Sequence, residues 1–97
     1  MSTRLENKVA FITGAGRGIG RAIARKMAHE GAMTALADID FESAQNSAAE
    51  LLEQGYEALA IPTDITRETD VQGAVNRAIE RFGRFGAILH FARFPSI

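Results

Sequence analysis

The chain has 97 residues and no cysteine, carries a formal net charge of −1, and is 46% hydrophobic and 24% charged. That length suits one compact unit, and the missing cysteines exclude a disulfide framework, a thiolate metal site and a thiol nucleophile. The balanced, interspersed charge gives no basic field for nucleic acid or an anionic membrane, and no run approaches the roughly 18 apolar residues of a membrane span.

The polar start, "MSTRLENK", lacks the apolar core of a signal peptide, so a soluble cytoplasmic protein is expected. Lys8 to Thr13 then reads as a short buried strand closed by glycine. Ile19, Ile23 and Met27 follow at helical spacing, with Ala22, Ala24 and Ala28 between them, and Gly31 ends that helix. Met33 to Asp38 is a second apolar run. Phe41, Ala44, Ala48, Leu51 and Leu52 mark a second helix closed by Gly55, and Ala58 to Pro62 is a third strand. Thr66 is placed to cap a third helix, with Glu68 and Asp70 in its first turn, where acids are favourable. Its inner stripe is Val71, Ala74, Val75, Ala78, Ile79 and Phe82, Gly83 ends it, and Ala87 to Phe91 reads as a fourth strand. Strands alternating with helices imply a parallel sheet. Right-handed crossovers then give an α/β chain that is the N-terminal half of a doubly wound fold, strand order 3-2-1-4.

The stretch "TGAGRGIG", Thr13 to Gly20, holds four glycines in eight positions. A turn from a buried strand into a helix places free N–H groups at the positive end of the helix dipole, which suits a phosphate that no side chain keeps away. Gly14 lets the chain turn, Gly18 leaves room for a pyrophosphate, and Gly20 permits tight packing of helix on strand. A merely flexible loop is the alternative; the flanking strand and helix favour the phosphate. The fingerprint G-x-G-x-x-G fails, because its sixth place is Ile19 when counted from Gly14 and Arg21 when counted from Gly16. A Walker loop fails too, for want of Gly-Lys-Ser or Gly-Lys-Thr. What fits is T-G-x-x-x-G-x-G. On these residues the chain resembles the short-chain dehydrogenase/reductase family in its classical branch; the extended branch places its second glycine where Arg17 stands.

The resemblance implies a Rossmann-type domain that binds NAD(P), and hydride transfer between nicotinamide and an alcohol or carbonyl substrate. It assigns cofactor binding to Gly14, Arg17, Gly18, Ile19, Gly20, Asp38, Asp64 and Ile65. In "ALADID", Asp38 ends the second strand, where a carboxylate accepts hydrogen bonds from the adenosine ribose and repels the extra phosphate of NADP. The alternative role, capping the next helix, suits Asp40 better. In "PTDIT", Asp64 and the backbone of Ile65 match the segment that contacts adenine, an Asx turn being the other reading of Asp64. Arg17 resembles NADP-preferring members. Asp38 directly opposes the 2′-phosphate, so NAD is expected over NADP, with Arg17 neutralising pyrophosphate.

Beyond Gly83 the pattern departs from the family. His90-Phe91-Ala92-Arg93 stands for Asn-Asn-Ala-Gly, Gly86 for the usual aspartate, and Arg93 obstructs a turn where glycine gives close backbone approach. His90 is expected to be packed or solvated rather than catalytic. The family's serine and Tyr-x-x-x-Lys pair lie further along than residue 97, and the sole tyrosine, Tyr56, has Ala60 four places on. Residues 1–97 are therefore expected to be one NAD(P)-binding domain truncated before the catalytic segment, with no catalytic or metal-ligating residue and no activity alone. Its expected partners are a dinucleotide, a small alcohol or carbonyl substrate in a full-length form only, and a second copy through an exposed fourth strand. The alternatives are a non-catalytic nucleotide-binding or interaction module and, more remotely, a phosphate-binding α/β domain of unrelated use.

Overall fold

The structure is a computed structural model that describes residues 5–16 and 18–83, together with the backbone of 88–91. Its elements alternate as the spacing predicts: β1 (Val9–Thr13), α1 (Gly18–His29), β2 (Met33–Asp38), α2 (Phe41–Glu53), β3 (Ala58–Pro62), α3 (Glu68–Phe82) and β4 (Ile88–Phe91). The strands form one sheet in the order β3-β2-β1-β4, and every neighbouring pair is parallel.

All five residues of β1 are buried because the sheet is covered on both faces. Ala10 and Ile12 pack with Ala24 and Ala28 of α1 and with Ala44, Ala48 and Leu51 of α2. Val9 and Phe11 point the other way, to Ala74, Ala78 and Phe82 of α3. One face thus carries α1 and α2, and the opposite face carries α3. Since β2 and β4 flank β1 on opposite sides, the strand order reverses at β1. In open α/β sheets, the crevice beyond the carboxyl ends of the strands at such a reversal is where ligands bind.

The helices end as their glycines predict. Gly31 N–H donates to the Ala28 carbonyl and Ala32 N–H to that of Met27; Gly55 and Tyr56 repeat the pattern on Leu52 and Leu51. These are paired Schellman closures. Gly83 closes α3, its N–H donating to the Ile79 carbonyl.

Three expectations need correction. The first strand begins at Val9, not Lys8. Thr66 does not cap α3: Arg67 occupies the cap position with no side-chain bond, and Thr66 gives both its N–H and its hydroxyl to Asp64. Ile19 is 58% exposed, and the face of α1 against the sheet is instead Gly20, Ala24 and Ala28. The helix lies too close to the strands there for anything larger, so Ile23 and Met27 pack only at the margin of the core. Arg17, Gly86, Ala87, Ala92 and Arg93 lie outside the described residues, as does the side chain of His90. Among the described residues, no helix is long and apolar enough to cross a membrane.

Candidate functional site

The glycine turn leaves β1 at its carboxyl end. Gly14 N–H donates to the Ala37 carbonyl of β2 at 2.8 Å, and the chain then turns with φ 64° at Gly14. That left-handed value suits a residue without Cβ. Gly20 is buried against the turn, and a Cβ built there would run into the carbonyl of Gly14. Gly18 differs: its φ is +62°, and a Cβ built on it meets nothing within 4 Å. Among the described residues, then, nothing crowds the Cβ direction of the first residue of α1, and the first helical turn carries no acid to neutralise its positive end.

Asp38, the last residue of β2, is only 8% exposed. Its Oδ2 accepts the Gly16 N–H at 2.9 Å, and its Oδ1 accepts the Asp40 N–H at 3.0 Å. Each carboxylate oxygen retains capacity for a further donor. Asp40 separately caps α2, accepting the Ser43 N–H at 3.2 Å and the Ser43 hydroxyl at 2.7 Å. Asp40, rather than Asp38, is thus the cap of α2, as the sequence suggests.

Asp64 lies beyond β3, beside the same end of the sheet. Asp38 is in register with Pro62, and Thr63 N–H donates to the Asp38 carbonyl at 3.0 Å. Asp64 Oδ1 accepts the Thr66 hydroxyl at 2.6 Å and the Thr66 N–H at 3.0 Å, the Asx turn weighed as its structural role. The same two donors, helped by the charge of Arg67, hold the Asp64 carboxyl below its ordinary pKa against a smaller opposing effect of burial. Ile39 and Ile65 are exposed apolar side chains beside these two aspartates in sequence.

The structure thus gathers Gly14, Gly18, Gly20, Asp38, Asp64 and Ile65 at the carboxyl end of the sheet, with Ile19 exposed in the first turn of α1. It adds two residues that sequence reasoning passed over. Gly16 stands at an unspecified position of the glycine motif, yet its N–H holds Asp38. Ser47 is 2% exposed on the inner face of α2, and its hydroxyl donates to the Gly16 carbonyl at 3.2 Å. The available signals were a fourth glycine in the turn and a hydroxyl residue among the alanines and leucines of a buried helix face.

Fold and glycine turn define a parallel α/β domain of the doubly wound class. The family model for short chain dehydrogenase matches residues 8–92, and the chain belongs to that family. It is 39% identical over 88 residues to an uncharacterized oxidoreductase, YxjF, of Bacillus subtilis, covering 91% of this chain and 34% of that protein. A short chain dehydrogenase/reductase from Burkholderia phymatum, solved in complex with NAD, superposes with a TM-score of 0.81 at 36% identity, over 88% of this chain and 30% of that one. A 7α-hydroxysteroid dehydrogenase solved with NADH and 7-oxo glycochenodeoxycholic acid gives 0.82 at 36% identity, over 90% and 34%. The chain spans about a third of the length of the curated relatives it matches.

Proposed function

We propose that this chain is the cofactor-binding portion of an NAD-dependent short-chain oxidoreductase acting on an alcohol or carbonyl substrate. The observation that carries the reading is the buried Asp38 carboxylate, fixed by two backbone N–H groups, one of them in the glycine turn that leads into α1. The donor set suits a dinucleotide without a 2′-phosphate. The N–H groups at the start of α1 would take the pyrophosphate, Gly18 leaving them uncovered, and Arg17 would add neutralising charge. Asp38 would accept both ribose hydroxyls. Asp64 and the backbone of Ile65 would hold the adenine. Nicotinamide, when bound, supplies the hydride acceptor or donor. The two dinucleotide-bound structures similar to this chain support the cofactor class, and the hydroxysteroid dehydrogenase supports the substrate class.

Residues 1–97 by themselves are expected to bind but not to turn over. Hydride transfer needs a carbonyl held over nicotinamide and a proton source beside it. The one tyrosine, Tyr56, precedes β3 and is hydrogen-bonded to Nδ1 of His29 at 3.1 Å, at the amino end of the strands, opposite the glycine turn. A second reading, a non-catalytic interaction module, draws on the edge position of β4 among the described strands, where a second copy would pair.

The test is fluorescence titration of the chain with NADH and NADPH, followed at 340 nm with a panel of alcohols and ketones and by size exclusion. Tighter NADH binding without turnover supports the first reading. No nucleotide binding by a stable dimer would favour the second.

A further inference from the structure

Ser47 sits on a helix face that is otherwise Ala44, Ala48 and Leu51, all buried. Alanine is the better helix former and would bury no polar atom there. The buried hydroxyl has a specific partner, however, in the Gly16 carbonyl 3.2 Å away. Gly16 is thereby held at both of its main-chain polar atoms, the carbonyl by α2 and the N–H by Asp38 Oδ2. The site has no room to spare. A Cβ on residue 16 would lie 2.8 Å from Asp38 Oδ2, 2.7 Å from Ser43 Cβ and 3.0 Å from the Ala44 nitrogen.

We propose that Ser47 is a positioning residue for dinucleotide discrimination: its hydroxyl fixes Gly16, and the Gly16 N–H fixes the Asp38 carboxylate that selects NAD over NADP. The inference rests on the proposed role of Asp38 at the ribose. Discrimination at that point is a matter of carboxylate placement. Set correctly, the two oxygens accept from a pair of hydroxyls; swung away, they lose those donors and no longer oppose a phosphate. A carboxylate tethered to a glycine turn is only as fixed as the turn. The turn is flexible by composition, and Ser47 ties it to a helix whose own start is fixed by the Asp40 cap.

The experiment measures NAD and NADP affinities by calorimetry for the wild-type chain, Ser47→Ala, Gly16→Ala, Asp38→Asn and the double variant Ser47→Ala/Asp38→Asn. Exchange of the Gly16 amide is followed by NMR without nucleotide. Ser47→Ala is expected to weaken NAD binding about fivefold, the size of one net hydrogen bond, while NADP binding stays level. It should also speed Gly16 exchange. Gly16→Ala should reproduce the loss of discrimination by crowding Asp38 directly. In the Asp38→Asn background, Ser47→Ala should leave the NAD-to-NADP ratio unmoved. Equal losses for both nucleotides would mark Ser47 as merely structural and overturn the proposal, as would wild-type exchange of the Gly16 amide in Ser47→Ala. Failure of the underlying cofactor reading looks different: the wild-type chain would bind neither nucleotide, which overturns both.

Discussion

Gly20 lies so close to Gly14 that a Cβ atom on residue 20 would overlap the Gly14 carbonyl. The obstructing atoms are backbone, with no flexible end to yield. Gly20→Ala is therefore expected to force α1 off the turn and to destabilise the chain by about 1–3 kcal/mol, the usual range for overpacking. A urea titration followed by circular dichroism measures this, and an unchanged midpoint would contradict the close contact.

Gly18 is expected to answer differently, because its Cβ direction is open space. Its φ of +62° makes any side chain strained, so Gly18→Val should lose about 1–2 kcal/mol of stability and keep its helical spectrum. Its effect on ligand should be far larger, since the new side chain covers the helix N-terminus. NADH fluorescence enhancement should vanish; a titration indistinguishable from wild type would remove Gly18 from the site.

Asp38→Asn has two separable consequences. Both carboxylate oxygens accept backbone N–H groups, so the new amide must turn its NH2 toward one of them. One buried donor then faces another, at a cost of about 1–3 kcal/mol to the free chain. With the charge gone, NAD affinity should fall about 10- to 100-fold, the worth of a charge-assisted hydrogen bond, while NADP affinity holds or rises. A wild-type chain that already prefers NADP would show that Arg17 outweighs Asp38.

Acid sensitivity should come from two exposed clusters. Glu50 accepts from Arg25 at 2.8 Å and from Arg21 at 2.9 Å, bonds between α2 and α1 that lower its pKa. Asp64 is lowered chiefly by the hydroxyl and N–H of Thr66. A carboxylate whose folded pKa is depressed contributes stability above its unfolded pKa, and the contribution is lost as pH falls through the folded value. Stability should thus hold near neutrality and fall below about pH 4, where unperturbed carboxylates begin to take up protons. Glu50→Gln should flatten that acid limb, and added salt should flatten it further, because these ion pairs are partly open to solvent. Thermal melts between neutral and acid pH measure both effects, and identical profiles for wild type and Glu50→Gln would rule out the contribution.

The strands are legible to within a residue because they follow from local signals, and their order follows from right-handed crossovers. Met33–Asp38 and Ala58–Pro62 are largely apolar runs that each begin soon after a helix-ending glycine, and residues 9–12 of β1 are apolar because they are buried on both sides. The Asp40 cap is legible for the same reason, being set by its neighbours at the start of α2. Thr66 misleads because Asp64, two residues earlier, competes for its N–H and hydroxyl and wins both. Ile19 misleads because periodicity reports spacing and not which side of the helix approaches the sheet; Gly20 decides that through its contact with Gly14. Gly16 and Ser47 were out of reach on spacing alone. Their bond joins residues 31 apart, and only the folded turn brings them together.

The grip on Asp38 is made by the amides of residues 16 and 40, which belong to the main chain. Every amino acid except proline carries such a donor. Among related chains the side chain at position 40 could drift widely, subject to its separate duty at the start of α2, while the grip on Asp38 passed down unaltered. Position 16 has no such latitude, since even a methyl group there intrudes on the carboxylate. Alignment of side chains would therefore register one half of this clasp as a glycine and miss the other half altogether; what is inherited there is a path of the backbone.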